Sequence, residues 1–86
     1  LSNFSVAPNP AEKYFVINCT LTQPGQVSIK LTDMKGVEVM NEKQGVQSTG
    51  SHQKIIGSQF LSSGVYFLTI TTDKFSQTQK VMIRKD

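Results

Sequence analysis

The sequence has no tryptophan, one cysteine (Cys19), one histidine (His52) and two alanines in 86 residues. A lone cysteine forbids an intrachain disulfide, so a disulfide-stapled scaffold is excluded. One Cys, one His and six scattered carboxylates do not supply the spaced ligands of a zinc site. Without Trp or a second Cys, the Cys…Trp…Cys signature of antibody domains is missing. No apolar run approaches the ~18 residues of a membrane span, and no signal-peptide pattern stands at Leu1. Charged residues make up 17% and the net charge is +3, which excludes a disordered polyelectrolyte. The sequence also has no Gly-x-Ser-x-Gly elbow, no phosphate loop, no dinucleotide glycine motif and no EF-hand loop. This inventory argues against an enzyme, and no cofactor is expected.

What is present is β-branched. Eight Val, six Ile and eight Thr stand against five Leu and two Ala, which favours strands over a helix bundle. The length allows one domain, and 32 apolar residues allow one thin core.

Seven short strands are predicted, at spacings of roughly 8–12 residues. Residues 2–7 form the first, ended by Pro8-Asn9-Pro10, where two residues without N–H break a ladder. Tyr14 to Leu21 follows, with Phe15, Ile17, Cys19 and Leu21 on one face. Gln23-Pro24-Gly25 reads as a type II turn with Gly25 at the positive-φ position. Gln26 to Thr32 alternates most clearly, with Val27, Ile29 and Leu31 inward. Asp33-Met34-Lys35-Gly36 is a hairpin turn, and Val37 to Lys43 returns. The polar stretch 44–51 reads as the longest and most mobile loop. Gln53 to Gly57 is a short strand, and Phe60 and Leu61 are expected to plug one end of the molecule. Val65 to Thr72 is apolar on both faces in its first half, which suggests a central strand. Phe75 to Arg84 closes the chain. The pattern is that of an all-β, immunoglobulin-like antiparallel β-sandwich.

Cys19, on an apolar face, reads as a small buried hydrophobe, with no histidine near it in sequence. His52 reads as a surface residue beside the polar loop. The lysines are scattered; only Lys74, Lys80, Arg84 and Lys85 give a locally basic end, too sparse for nucleic-acid binding.

Four segments together resemble a known family. They are Pro8-Asn9-Pro10-Ala11; Gly25-x-Val27-x-Ile29-x-Leu31-x-Asp33-x-x-Gly36-x-x-Val39; Leu61-x-Ser63-Gly64-Val65-Tyr66-Phe67; and Lys80-Val81. In order and spacing, over positions 8 to 81, they resemble the type A C-terminal sorting domain of type IX (Por) secretion system cargo of Bacteroidetes. Ala7, where an aromatic often stands, and the Arg84-Lys85-Asp86 ending depart from the family pattern.

The resemblance implies a non-enzymatic secretion signal, with residues 1–86 forming one domain excised from a longer secreted protein. It implies transit through the periplasm and recognition by the outer-membrane translocon and shuttle components. It further implies removal of the domain by a cell-surface sortase that joins the cargo to anionic lipopolysaccharide. Family-motif positions carried by this sequence are Pro8, Asn9, Pro10, Gly25, Asp33, Gly36, Gly64, Val65 and Tyr66, for fold or recognition; Pro8-Asn9-Pro10 and the Gly64-Val65-Tyr66 corner are first of all fold determinants.

The terminal strand is terminal and basic, and is expected at a sheet edge where a partner strand could add. Lys80, Val81, Arg84 and Lys85 are therefore the candidate translocon-recognition residues. The same edge makes strand-exchanged dimers of the isolated domain conceivable. A carbohydrate-binding or adhesive sandwich is the competing class, and a structural spacer a third. Stacking on glycans needs a row of outward aromatics, and only Tyr14 is expected to point out.

Overall fold

The computed structural model describes residues 2–85. Its seven strands are β1 (Ser2–Ala7), β2 (Tyr14–Leu21), β3 (Gly25–Asp33), β4 (Glu38–Gln47), β5 (Gly50–Gly57), β6 (Gly64–Thr72) and β7 (Ser76–Ile83). No helix occurs among the described residues. The strands form two antiparallel sheets, in the orders β1-β2-β5 and β4-β3-β6-β7. The molecule is an all-β sandwich, elongated along its strands at 39 × 22 × 17 Å.

Period-two alternation builds the core. Phe15, Ile17, Cys19 and Leu21 of β2 are buried against Val27, Ile29 and Leu31 of β3 and Tyr66, Leu68 and Ile70 of β6. Val81 and Ile83 of β7 complete the layer. As its two-sided apolarity suggested, β6 is central, paired to β3 and β7.

Strand directions define two poles. At one, the β1–β2 segment, the β3–β4 hairpin, the β5–β6 loop and the end of β7 come together. The other holds the turns at residues 22–24, 48–49 and 73–75.

Several expectations are corrected. The stretch 44–51 is not a loop: β4 runs to Gln47, β5 begins at Gly50, and only Ser48 and Thr49 lie between them. Gly45, at φ 76°, lets β4 bulge, since Val27 faces Gly45 while Ser28 faces Lys43, leaving Gln44 extra. Val37 belongs to the hairpin turn and is exposed. Gly25 is not a positive-φ residue but the first of β3. A Cβ there would stand 3.0 Å from Asp73 Oδ2, so glycine makes room for that carboxylate. Only Leu61 of the expected plug pair is buried; Phe60 is 55% exposed. Tyr14 points out as expected, but Phe60 and Phe75 do too, with Phe75 at the opposite pole.

Candidate functional site

The site is built where β7 meets the segment between β1 and β2. Strand β7 is the edge of its sheet. An edge strand presents backbone groups outward with no ladder to satisfy them. Here four consecutive outward groups are all satisfied. Asn9 Oδ1 accepts from Met82 N–H at 3.0 Å, and Asn9 Nδ2 donates to the Lys80 carbonyl at 3.2 Å. Ala11 N–H donates to the Met82 carbonyl and the Ala11 carbonyl accepts from Arg84 N–H, both at 2.8 Å. Ala11 and Ile83 thereby form a parallel bridge. The stretch 8–11 is thus a strap along the C-terminal half of β7.

The local sequence explains how this strap is made. Pro8 and Pro10 carry no N–H, so the strap cannot continue as a regular strand. The carboxamide between them offers one donor and one acceptor, the pair a strand residue would present. Ala11 follows with its backbone free to pair, and its small side chain is 0% exposed.

The end of the chain is tied at two further points. Lys85 N–H donates to Ser63 Oγ at 2.9 Å, and Lys85 Nζ donates to the Gln59 carbonyl at 3.3 Å. Beneath them Ser58, fully buried, donates its N–H to Lys13 O and its hydroxyl to Glu12 O. Tyr66 is buried and its hydroxyl donates to the Ser62 carbonyl at 2.8 Å, closing the loop before Gly64. Asp33 organises the hairpin beside this pole: its Oδ1 accepts from Lys35 N–H and Val37 N–H. Gly36 takes the positive φ, 85°, that the turn needs.

Pro8, Asn9, Pro10, Asp33, Gly36, Gly64, Val65, Tyr66, Val81, Arg84 and Lys85 therefore gather toward one pole. Gly25 stands at the other, where Gln26 N–H reaches Asp73 Oδ2. Among the recognition candidates, Val81 differs from the rest: it is 0% exposed and packed in the core between the sheets. Lys80, Arg84 and Lys85 are exposed. Lys80 and Arg84 make no ion pair among the described residues. The outer face of this corner is mixed, with half-buried Val65 and Phe67 facing Met82 and Lys80 across the β6–β7 ladder. The β7 edge is also not open as expected, because the strap occupies it over Lys80–Arg84.

The opposite flank differs. No pairing joins β4 to β5 there. A recess of about 80 Å³ opens between them, floored by Ile17, Cys19, Leu21 and Ile29 and rimmed by Gln44, Gln47, His52 and Lys54. His52 lies within β5 directly opposite Cys19, a neighbour far from it in the chain. Its Nε2 is 2.6 Å from the Ser48 carbonyl and so carries the proton. Cys19 is buried, and burial pushes its thiol pKa up, so it stays protonated at neutral pH. Lys54 meets Glu42 across the gap at 3.9 Å. No group of three metal-ligating side chains forms among the described residues.

A family model described as the secretion system C-terminal sorting domain matches residues 5–84. No curated protein matches the chain significantly. The match spans nearly the whole chain, from β1 through the last residue that the strap holds. The chain therefore belongs to the C-terminal sorting domain family of type IX secretion, a signal that directs export of the protein carrying it.

Proposed function

We propose that the folded domain is recognised by the outer-membrane translocon of the type IX system, with its shuttle components, as cargo passes through the periplasm. At the cell surface the system's sortase then removes the domain and joins the cargo to anionic lipopolysaccharide. The domain is a substrate of that sortase and has no chemistry of its own to perform.

The observation supporting this reading is that Pro8, Asn9 and Pro10 are tied to the chain end at one corner of the sandwich, at the pole that also carries Gly64, Val65 and Tyr66. That corner presents Lys80 and Arg84 outward from a fixed strand, with Lys85 held to the Gln59 carbonyl beside them. Exposed cations on a rigid edge steer docking onto an acidic surface and set its orientation more than its affinity. The test is fusion of residues 1–86 to the C-terminus of a periplasmic reporter, in a host with the system. Reporter on the cell surface or in the medium is the expected result. Reporter retained in the periplasm contradicts the proposal.

A further inference from the structure

We propose that Asn9 is the positioning residue of the sorting signal: its carboxamide stands in for a missing strand and fixes the course of Lys80–Lys85. This rests on the sorting function proposed above and names the residue that makes the terminal strand readable.

The carboxamide faces Lys80 O and Met82 N, two adjacent outward groups of one edge strand. Satisfying both takes a side chain with one donor and one acceptor, short enough to lie flat beside the strand. Asn meets that requirement. Asp keeps the acceptor but sets a second oxygen against a carbonyl; Ala offers neither group; Gln is one methylene longer. The flanking Pro8 and Pro10 bring no N–H that could compete. Both side-chain bonds are solvent-exposed and span the chain from its first residues to its last, so they contribute little to the core. Pairing with β6 holds the inner side of β7 as far as Ile83; the two Asn9 bonds hold its outer side at Lys80 and Met82, next to Arg84 and Lys85. With Asn9 removed, only the two Ala11 bonds hold the outer side of that strand.

The test uses the reporter fused to residues 1–86 and the same domain labelled for amide exchange by NMR. In Asn9→Ala, Met82 N–H should exchange at least tenfold faster while Leu68 N–H in central β6 is unchanged. Export should fall at least tenfold with the thermal midpoint lowered by only a few degrees. Asn9→Asp keeps the Met82 acceptor and provides a second, milder variant: Met82 stays protected and export falls less. Asp73→Ala removes a comparable exposed bond at the far pole and should export like the unmutated domain. A merely structural role would make export follow the melting temperature in all three variants, and that result overturns the proposal. Unchanged Met82 exchange in Asn9→Ala overturns it as well, as does faster exchange with normal export. In these cases the unmutated fusion still exports, so the sorting function stands. Failure of the unmutated fusion to export overturns that function and this proposal together.

Discussion

The two long sides of this sandwich are closed by different means. On the β1–β7 side, chain closes the edge: Asn9 and Ala11 satisfy four backbone groups between Lys80 and Arg84, and Ala11 is buried beneath them. On the β4–β5 side, charge and amides close it. Glu42 and Lys54 point inward from two edge strands and meet at 3.9 Å over a small recess. Inward-pointing charge is a known protection against edge-to-edge pairing, since an added strand would bury it. The first device fixes one strand's path to within hydrogen-bond tolerance. The second tolerates variation, because half-exposed pairs contribute little. Pro8, Asn9 and Pro10 lie on the side that is built with geometric demands, while Asp33 and Gly36 form the β3–β4 hairpin beside the other.

The largest expected effect falls on neither side. Phe15, fully buried between the sheets, is shared by both. Phe15→Ala should destabilise by about 3–5 kcal/mol in urea unfolding, enough to unfold much of a domain with so thin a core. Next comes the strapped side. Ala11 is fully buried in the core, so Ala11→Leu should cost about 1–3 kcal/mol by overpacking. A neutral result there would mean that the strap is not seated as described. On the other side, Lys54→Met should change stability by less than about 1 kcal/mol, with the loss of a half-exposed pair offset by apolar contact in the recess. A larger loss would place the ion pair on an equal footing with the strap and remove the contrast.

The smallest effect is one of pH. The folded thiol of Cys19 titrates above its unfolded value because burial disfavours the thiolate. Its contribution is therefore fully present below the unfolded pKa and is lost as pH rises through the folded one. Denaturation followed from neutral into alkaline pH should show a loss of stability that Cys19→Ala lacks. Identical profiles would mean that water reaches the thiol through the recess.

The strapped side and the open side also differ in how legible they were. Strands β2, β3 and β6 could be read from the sequence because one face is apolar at every second residue, and the buried sets Phe15/Ile17/Cys19/Leu21 and Val27/Ile29/Leu31 lie where alternation puts them. Strands β4 and β5 run further than Val37–Lys43 and Gln53–Gly57, β4 ending at Gln47 and β5 beginning at Gly50. Their inward positions include Glu42, Gln44, Gln47, His52 and Lys54, so the alternation signal vanishes along an open flank. The bulge at Gly45 shifts the period as well. The pole itself was partly readable: the prolines and the Asp33–Gly36 turn have local signatures. The strap was not, because a carboxamide between two prolines looks like any turn, and its partners lie at the far end of the chain. The same distance hid the pairing of Cys19 with His52. Burial of Val81, by contrast, follows from its own alternation with Ile83 and withdraws it from the recognition set.

The central claim is that the strapped edge, and not basic charge in general, is what the secretion machinery reads. The most direct measurement is export of the reporter fused to residues 1–86 in two charge-matched variants. One reverses Lys80, Arg84 and Lys85 to Glu; the other reverses Lys30, Lys43 and Lys74, exposed residues of β3, β4 and the 73–75 turn. Both should melt within a few degrees of the unmutated domain. The first should leave the reporter in the periplasm and the second should export it normally. Equal export by the two, or loss only in the second, would contradict the claim.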